Sequence, residues 1–157
     1  MSPAELEQYL HDHIPLSRAM QVSVASVGEE AVILTAPLGP NINHRESVFG
    51  GSASALAILA AWSLLHTRLR GAGISCRLVI QRNTMEYELP IQGQFSAQST
   101  LGAIDAWERF LHILSRKGKA RITVTSTLEH EGQKVGYFSG VFVAIDNSQC
   151  VLTHAQN

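Results

Sequence analysis

Between Ala53 and Leu65 no residue is charged, and Leu56, Ile58, Leu59, Trp62, Leu64 and Leu65 fall on all sides of a 3.6-residue helix, with alanines between them. A helix apolar on every side must be buried on every side. The pattern predicts a helix from about Ser52 to Arg70, entered through the loop Asn41 to Gly51 and closed by Gly71-Ala72-Gly73, with Arg68 and Arg70 on its negative end. Elsewhere the period drops to two. Strands are predicted over Met20–Val27, Ala31–Ala36, Cys76–Met85, Phe95–Leu101, Ala120–Leu128 and Val135–Ile145. Gly28-Glu29-Glu30 and Glu129 to Gln133 read as hairpin turns, and Val135–Ile145, apolar on both faces, reads as a central strand.

Two further helices frame this set. Ser2-Pro3-Ala4-Glu5 has capping-box spacing ahead of Leu6, Leu10, His13 and Ile14, with Pro15 as the stop. Ile104, Trp107, Leu111 and Leu114 form a stripe ending at Arg116-Lys117-Gly118, with Asp105 and Glu108 as a capping pair. Strands without alternating helices argue against a doubly wound fold. The expectation is one α+β domain over residues 1–157, an antiparallel sheet around the central helix.

Composition narrows the function classes. The 157 residues are 45% hydrophobic and 16% charged, with net charge −1, which excludes disorder and general electrostatic attraction to nucleic acid or an anionic membrane. Val48 to Leu65 is uncharged, but its Gly pair, serines and alanines make it a poor membrane span. The first residues lack the basic and apolar regions of a secretory leader, and Cys76 and Cys150 lie far apart, so a reducing cytoplasm is expected. The polar stretch after Asp146 is expected to be mobile. His11 and His13, two positions apart on a helix, point in different directions; neither metal nor cofactor is expected.

The start of the central helix carries the chemistry. Gly50 and Gly51 allow close approach of another group, and Ser52 is a candidate N-cap. The first helical N–H groups and the positive end of the dipole can polarise a carbonyl or hold an oxyanion.

Asn43, Phe49-Gly50-Gly51-Ser52, Ala60-Ala61-Trp62, Tyr87-Glu88-Leu89-Pro90 with Gly93, and Gly118-Lys119-Ala120-Arg121 together resemble the hotdog superfamily. The resemblance is closest to a bacterial thioesterase branch sometimes fused behind an acetyltransferase domain, and it spans roughly residues 15–146. It implies a homodimer or dimer of dimers that hydrolyses an acyl-CoA or acyl-carrier-protein thioester in a cleft shared by two chains. It also implies that the Pro90 to Gly93 break joins two adjacent strands, and that the helix near 104–117 is an addition, as a surface helix or a lid.

Residue by residue, the resemblance places Gly51 where a helix-start N–H contacts the thioester oxygen. Asn43 falls where a related branch has a water- or substrate-orienting Asn. That branch has His-Gly-Gly; Phe49 here can pack a thioester or pantetheine arm but donates no such hydrogen bond. His44, Phe49, Gly50 and Ser52 are expected to border the substrate. Many relatives carry an Asp or Glu about two turns beyond the glycines, but Ile58 and Leu59 stand there, and no acid lies between Ser47 and Arg70. The same gap disfavours a dehydratase, which would pair His44 with an acid at Ile58, and Gly39-Pro40-Asn41 lacks the Asp of a hydratase. A base is therefore expected from Glu46, with His44, Glu86, Glu88 and Asp105 as alternatives. The competing expectation is a non-catalytic acyl-thioester binder or regulator.

Overall fold

The computed structural model describes residues 1–150, with side chains through Ser148. Ser2 and Glu5 form the expected capping box, with Glu5 N–H donating to Ser2 Oγ at 3.2 Å and Ser2 N–H donating to the Glu5 carboxylate at 2.7 Å. This fixes α1, Pro3–His13, which buries Leu6 and Leu10. α1 stops ahead of Pro15 as expected, and Pro15 in turn opens a second helix, α2, Pro15–Ala19, because a proline's missing N–H costs nothing at the first helical position. There follow β1, Ser23–Val27; β2, Ala31–Ala36; α3, Gly50–Gly71; β3, Cys76–Tyr87; β4, Phe95–Leu101; α4, Ala106–Lys117; β5, Lys119–His130; β6, Gln133–Asp146; and α5, Asn147–Cys150.

All strands pair antiparallel in one six-stranded sheet of order β1-β2-β4-β5-β6-β3. Alternate residues of β5 (Ala120, Ile122, Val124, Ser126, Leu128) are buried beneath α3, as the period of two demands. The helix packs against β2 through β6 and buries Ala53, Leu56, Ala57, Ala60, Ala61, Leu64, Leu65 and Leu69. A buried polar tie crosses the interface: the fully buried Ser126 hydroxyl donates to Ala57 O at 2.9 Å.

Several expectations fail in detail. The central helix starts at Gly50 rather than Ser52, so Ser52 is not the N-cap; Phe49 is, and no side chain caps that end. The break after β3 does not join adjacent strands, for β3 lies at the sheet edge beyond β6 while β4 sits between β2 and β5. Alternation predicts strands but not their order, which non-local pairing decides. On α4, Ile104 precedes the helix and is fully exposed, Phe110 and Leu114 are the buried residues, and Asp105 makes no capping hydrogen bond. Beyond Asp146, Asn147–Cys150 form the short α5; the rest of the stretch expected to be mobile, residues 151–157, lies outside the described region.

One further difference matters for function. Ala55, Ile58, Trp62 and His66, spaced at helical intervals on α3, are only half-buried. α1 covers the far end of this stripe, where Tyr9 stacks on His66 with ring centroids 4.7 Å apart and Trp62 on His66 at 4.5 Å. The stripe borders edge strand β3, since Trp62 Nε1 donates to Leu78 O at 3.4 Å.

Candidate active site at the start of the central helix

The chain approaches α3 through a tied loop. A single 3₁₀ turn, Gly39–Asn41, ends at Asn41, which is 2% exposed and donates from Nδ2 to Met20 O at 2.9 Å and Pro37 O at 2.8 Å. Phe49 N–H donates back to Asn41 O, and Val48 N–H to Ile91 O, both at 2.8 Å. An Ile42–Val48 bridge closes the base of the loop. Asn43, His44, Glu46 and the glycine pair therefore share one end of the molecule.

Within the loop, Asn43 shapes its own turn. Its Oδ1 accepts from the N–H groups of Arg45 at 2.8 Å and Ser47 at 3.2 Å, and its Nδ2 donates to Ser47 Oγ at 3.2 Å. This is the side-chain-to-backbone bonding by which Asn mimics a turn. Glu46 is exposed in the left-handed region, φ +59°, a conformation that L side chains rarely adopt. His44 is exposed beside it and accepts at Nε2 from Arg45 Nε at 3.4 Å.

At the start of α3 the donors are free. Ser52 N–H and Ala53 N–H both reach Phe49 O, at 2.9 and 3.1 Å, whereas those of Gly50 and Gly51 have no backbone partner among the described residues. Two aromatic rings flank them. The Phe49 ring lies over Gly51, in the space a Cβ would occupy, and a Cβ on Gly50 would sit 3.4 Å from the Tyr87 ring. Both rings are open to solvent, Phe49 at 58% and Tyr87 at 59% exposed.

Beside Gly50 opens a cavity of 350 Å³ between α3, β3 and the segment after it. Its floor is Val48, Ala53, Ile91, Leu128 and Val135, all buried, and its rim is Met85, Tyr87 and Leu89. Among the alternative bases, Glu88 alone lines this cavity, and its carboxylate is paired with Lys134 Nζ at 3.2 Å. Glu86 is exposed on β3, and Asp105 pairs with Arg109 at 3.5 Å at the start of α4. Ile58 is half-buried and Leu59 buried in the middle of α3, so no acid stands at the two positions where the resemblance would place one. The histidines noted near the N-terminus donate to backbone carbonyls, His11 Nε2 to Val22 O at 2.8 Å and His13 Nδ1 to Tyr9 O at 2.9 Å.

Tyr87, Met85, Leu128 and Val135 are cavity residues that reading the sequence did not single out as such. Tyr87 stood out only as part of a strand break and of the segments that carry the family resemblance. No local signal connects residues 37 positions apart, so its place over Gly50 follows from the antiparallel run of β3 beside α3.

Solved structures share this architecture. A protein of unknown function from Chlorobaculum tepidum is 30% identical over 93% of this chain and 98% of its own, with TM-score 0.86. The "putative thioesterase" from Shewanella oneidensis is 23% identical over 91% of this chain and 96% of its own, TM-score 0.82. A Haemophilus influenzae thioesterase shares the fold at 12% identity, with TM-score 0.74 over 93% of this chain and 92% of its own. Residues 3–146, from the first turn of α1 to the end of β6, match the family described as "Putative thioesterase (yiiD_Cterm)", and the chain belongs to that family of thioesterase-type hotdog proteins.

Proposed function

We propose that this chain hydrolyses an acyl thioester of coenzyme A or an acyl carrier protein at the start of α3. The observation that carries the reading is the uncapped helix end, with the unpartnered N–H of Gly50 at the mouth of a largely apolar cavity and that of Gly51 next to it, beside the Phe49 ring. The N–H of Gly51, with that of Gly50, polarises the thioester carbonyl and stabilises the oxyanion as water adds. Glu46 takes the water proton, the C–S bond breaks, and the proton passes to the departing thiolate, leaving a carboxylic acid and a thiol. Asn43 orients the water or carbonyl from the loop. Phe49, His44, Gly50 and Ser52 border the thioester and its arm.

The working form in this reading is a homodimer, or a dimer of dimers, in the cytoplasm. An unpaired edge strand, β3, lies next to a half-buried apolar stripe, Ala55, Ile58 and Trp62. A second copy pairing there removes both liabilities at once.

Thiol release from acyl-CoAs and acyl carrier proteins tests the activity directly. Glu46→Gln is expected to lower kcat by about 10²–10⁴-fold with KM nearly unchanged, as for loss of a general base. Asn43→Ala is expected to cost less, because the Gly51 N–H remains. A wild-type rate for Glu46→Gln would reject that base and direct attention to Glu88. A second reading, a non-catalytic acyl-thioester binder, is favoured by the apolar packing of Ile58 and Leu59 and by the local bonding of Asn43. Saturable binding without turnover would select it.

A further inference from the structure

The geometry points to Glu7 and His11 of α1 as a cap on one edge of the sheet. They bond the outer backbone of β1 in place of a neighbouring strand, so that only β3 is left open to a second copy of this chain. The inference concerns assembly and does not rest on the hydrolase reading. β1 and β3 are the two edges of the six-stranded sheet. An edge presents unpaired N–H and C=O groups, a template for another strand. At β1 these groups are taken. Val24 N–H donates to Glu7 Oε2, and His11 Nε2 donates to Val22 O, both at 2.8 Å. Val22 N–H donates to Ser17 O of α2 at 2.9 Å. The carboxylate thus stands where a strand would offer a carbonyl, and the imidazole N–H where it would offer an amide.

The spacing fits this substitution. Glu7 and His11 lie four positions apart on one face of α1, about 6 Å along the helix, and Val22 and Val24 lie two positions apart, about 6.7 Å along a strand. Leu6 and Leu10, both fully buried, seat α1 in the core beside the two polar residues. Just past the capped stretch, the register of β1 shifts between Val24 and Ser26, an irregularity that further blunts an edge. β3 has no such cover. Among the described residues no strand lies beyond it, and Trp62 Nε1 to Leu78 O is the one side-chain bond to its backbone. Counting edges gives the consequence. A copy with one open edge joins one other copy, and the pair is closed. A copy with two open edges joins two others, and the sheet runs on from copy to copy without a stop.

The test is sedimentation velocity on the whole chain across a wide range of concentration, beside amide exchange at Val24. The wild type is expected to hold a finite mass throughout. Glu7→Ala with His11→Ala is expected to gain mass continuously with concentration. In dilute solution its Val24 amide is expected to exchange about tenfold faster, as for one lost hydrogen bond, and to slow again as the assembly grows. Glu7→Gln with His11→Gln keeps an acceptor and a donor at these places and is expected to restore the finite mass. Leu10→Ala loosens the packing of α1 but keeps both polar side chains; it is expected to melt lower at unchanged mass. Where the double alanine variant does not fold, Glu7→Ala alone, which frees only Val24 N–H, is read by the same two measurements. An unchanged mass for the alanine variants, growth without renewed protection at Val24, or equal growth in Leu10→Ala would overturn the cap.

Discussion

Replacing Gly51 with alanine separates stability from chemistry at one position. Gly51 is the second residue of α3 and does not have positive φ, so alanine fits its backbone. Reducing the freedom of the unfolded chain stabilises such a site by about 0.4–1 kcal/mol. Against this, the new Cβ occupies the space of the Phe49 ring. That ring is 58% exposed, so it can swing into solvent with little lost packing. Net stability is expected to change by less than about 1 kcal/mol, a shift of a few degrees in melting temperature. Activity has no such escape. The methyl stands where a thioester carbonyl must reach the Gly51 N–H, and loss of one oxyanion donor costs about 10²–10³-fold in kcat. Melting curves and thiol-release kinetics on the same preparation check both halves. A variant that melts normally and turns over at the wild-type rate would refute the assignment of Gly51. Gly50→Ala is the internal comparison: its Cβ meets the Tyr87 ring at an ordinary 3.4 Å, so a smaller loss is expected.

Two other outcomes follow from the far side of α3. Burial, then the charges of Arg70 and His13, holds the pKa of His66 below the usual histidine value, and its Nε2 is buried without a partner. The unfolded chain therefore takes up this proton first as pH falls, so the stability linked to neutral His66 is present above about pH 6.5 and is lost below it. His66→Phe, which keeps the stack with Tyr9 and Trp62, is expected to flatten the decline in urea midpoint between pH 7 and pH 5; an unchanged decline would assign it to other groups. Ile58→Arg places a charge in the half-buried stripe beside β3; light scattering is expected to give a dimer for the wild type and a monomer for the variant, and equal masses would remove that stripe from the proposed interface.

Sequence alone determined the features that depend on neighbours along the chain. The capping box of α1, the bounds of β2 and β4, the two hairpins and the continuous apolar run of α3 follow from local stereochemistry and periodicity. Close approach was legible at Gly51, where the Phe49 ring takes the space of a Cβ, but not at Gly50, where a Cβ would make ordinary contact. The strand order was not legible: alternation is the same for an edge and a centre, and only pairing with β6 placed β3 outermost. Ser52 satisfied the composition rule for an N-cap, yet the helix starts two residues earlier because Phe49 O accepts from both Ser52 and Ala53. Asn41 and Asn43 look alike as residues of one loop; tertiary contacts buried the first under Met20 and Pro37 and left the second to shape the turn. The cavity was decided wholly by the tertiary structure. Its walls come from α3, β3, β5 and β6, segments up to 87 positions apart from Val48 to Val135, and a space has no residue of its own to read.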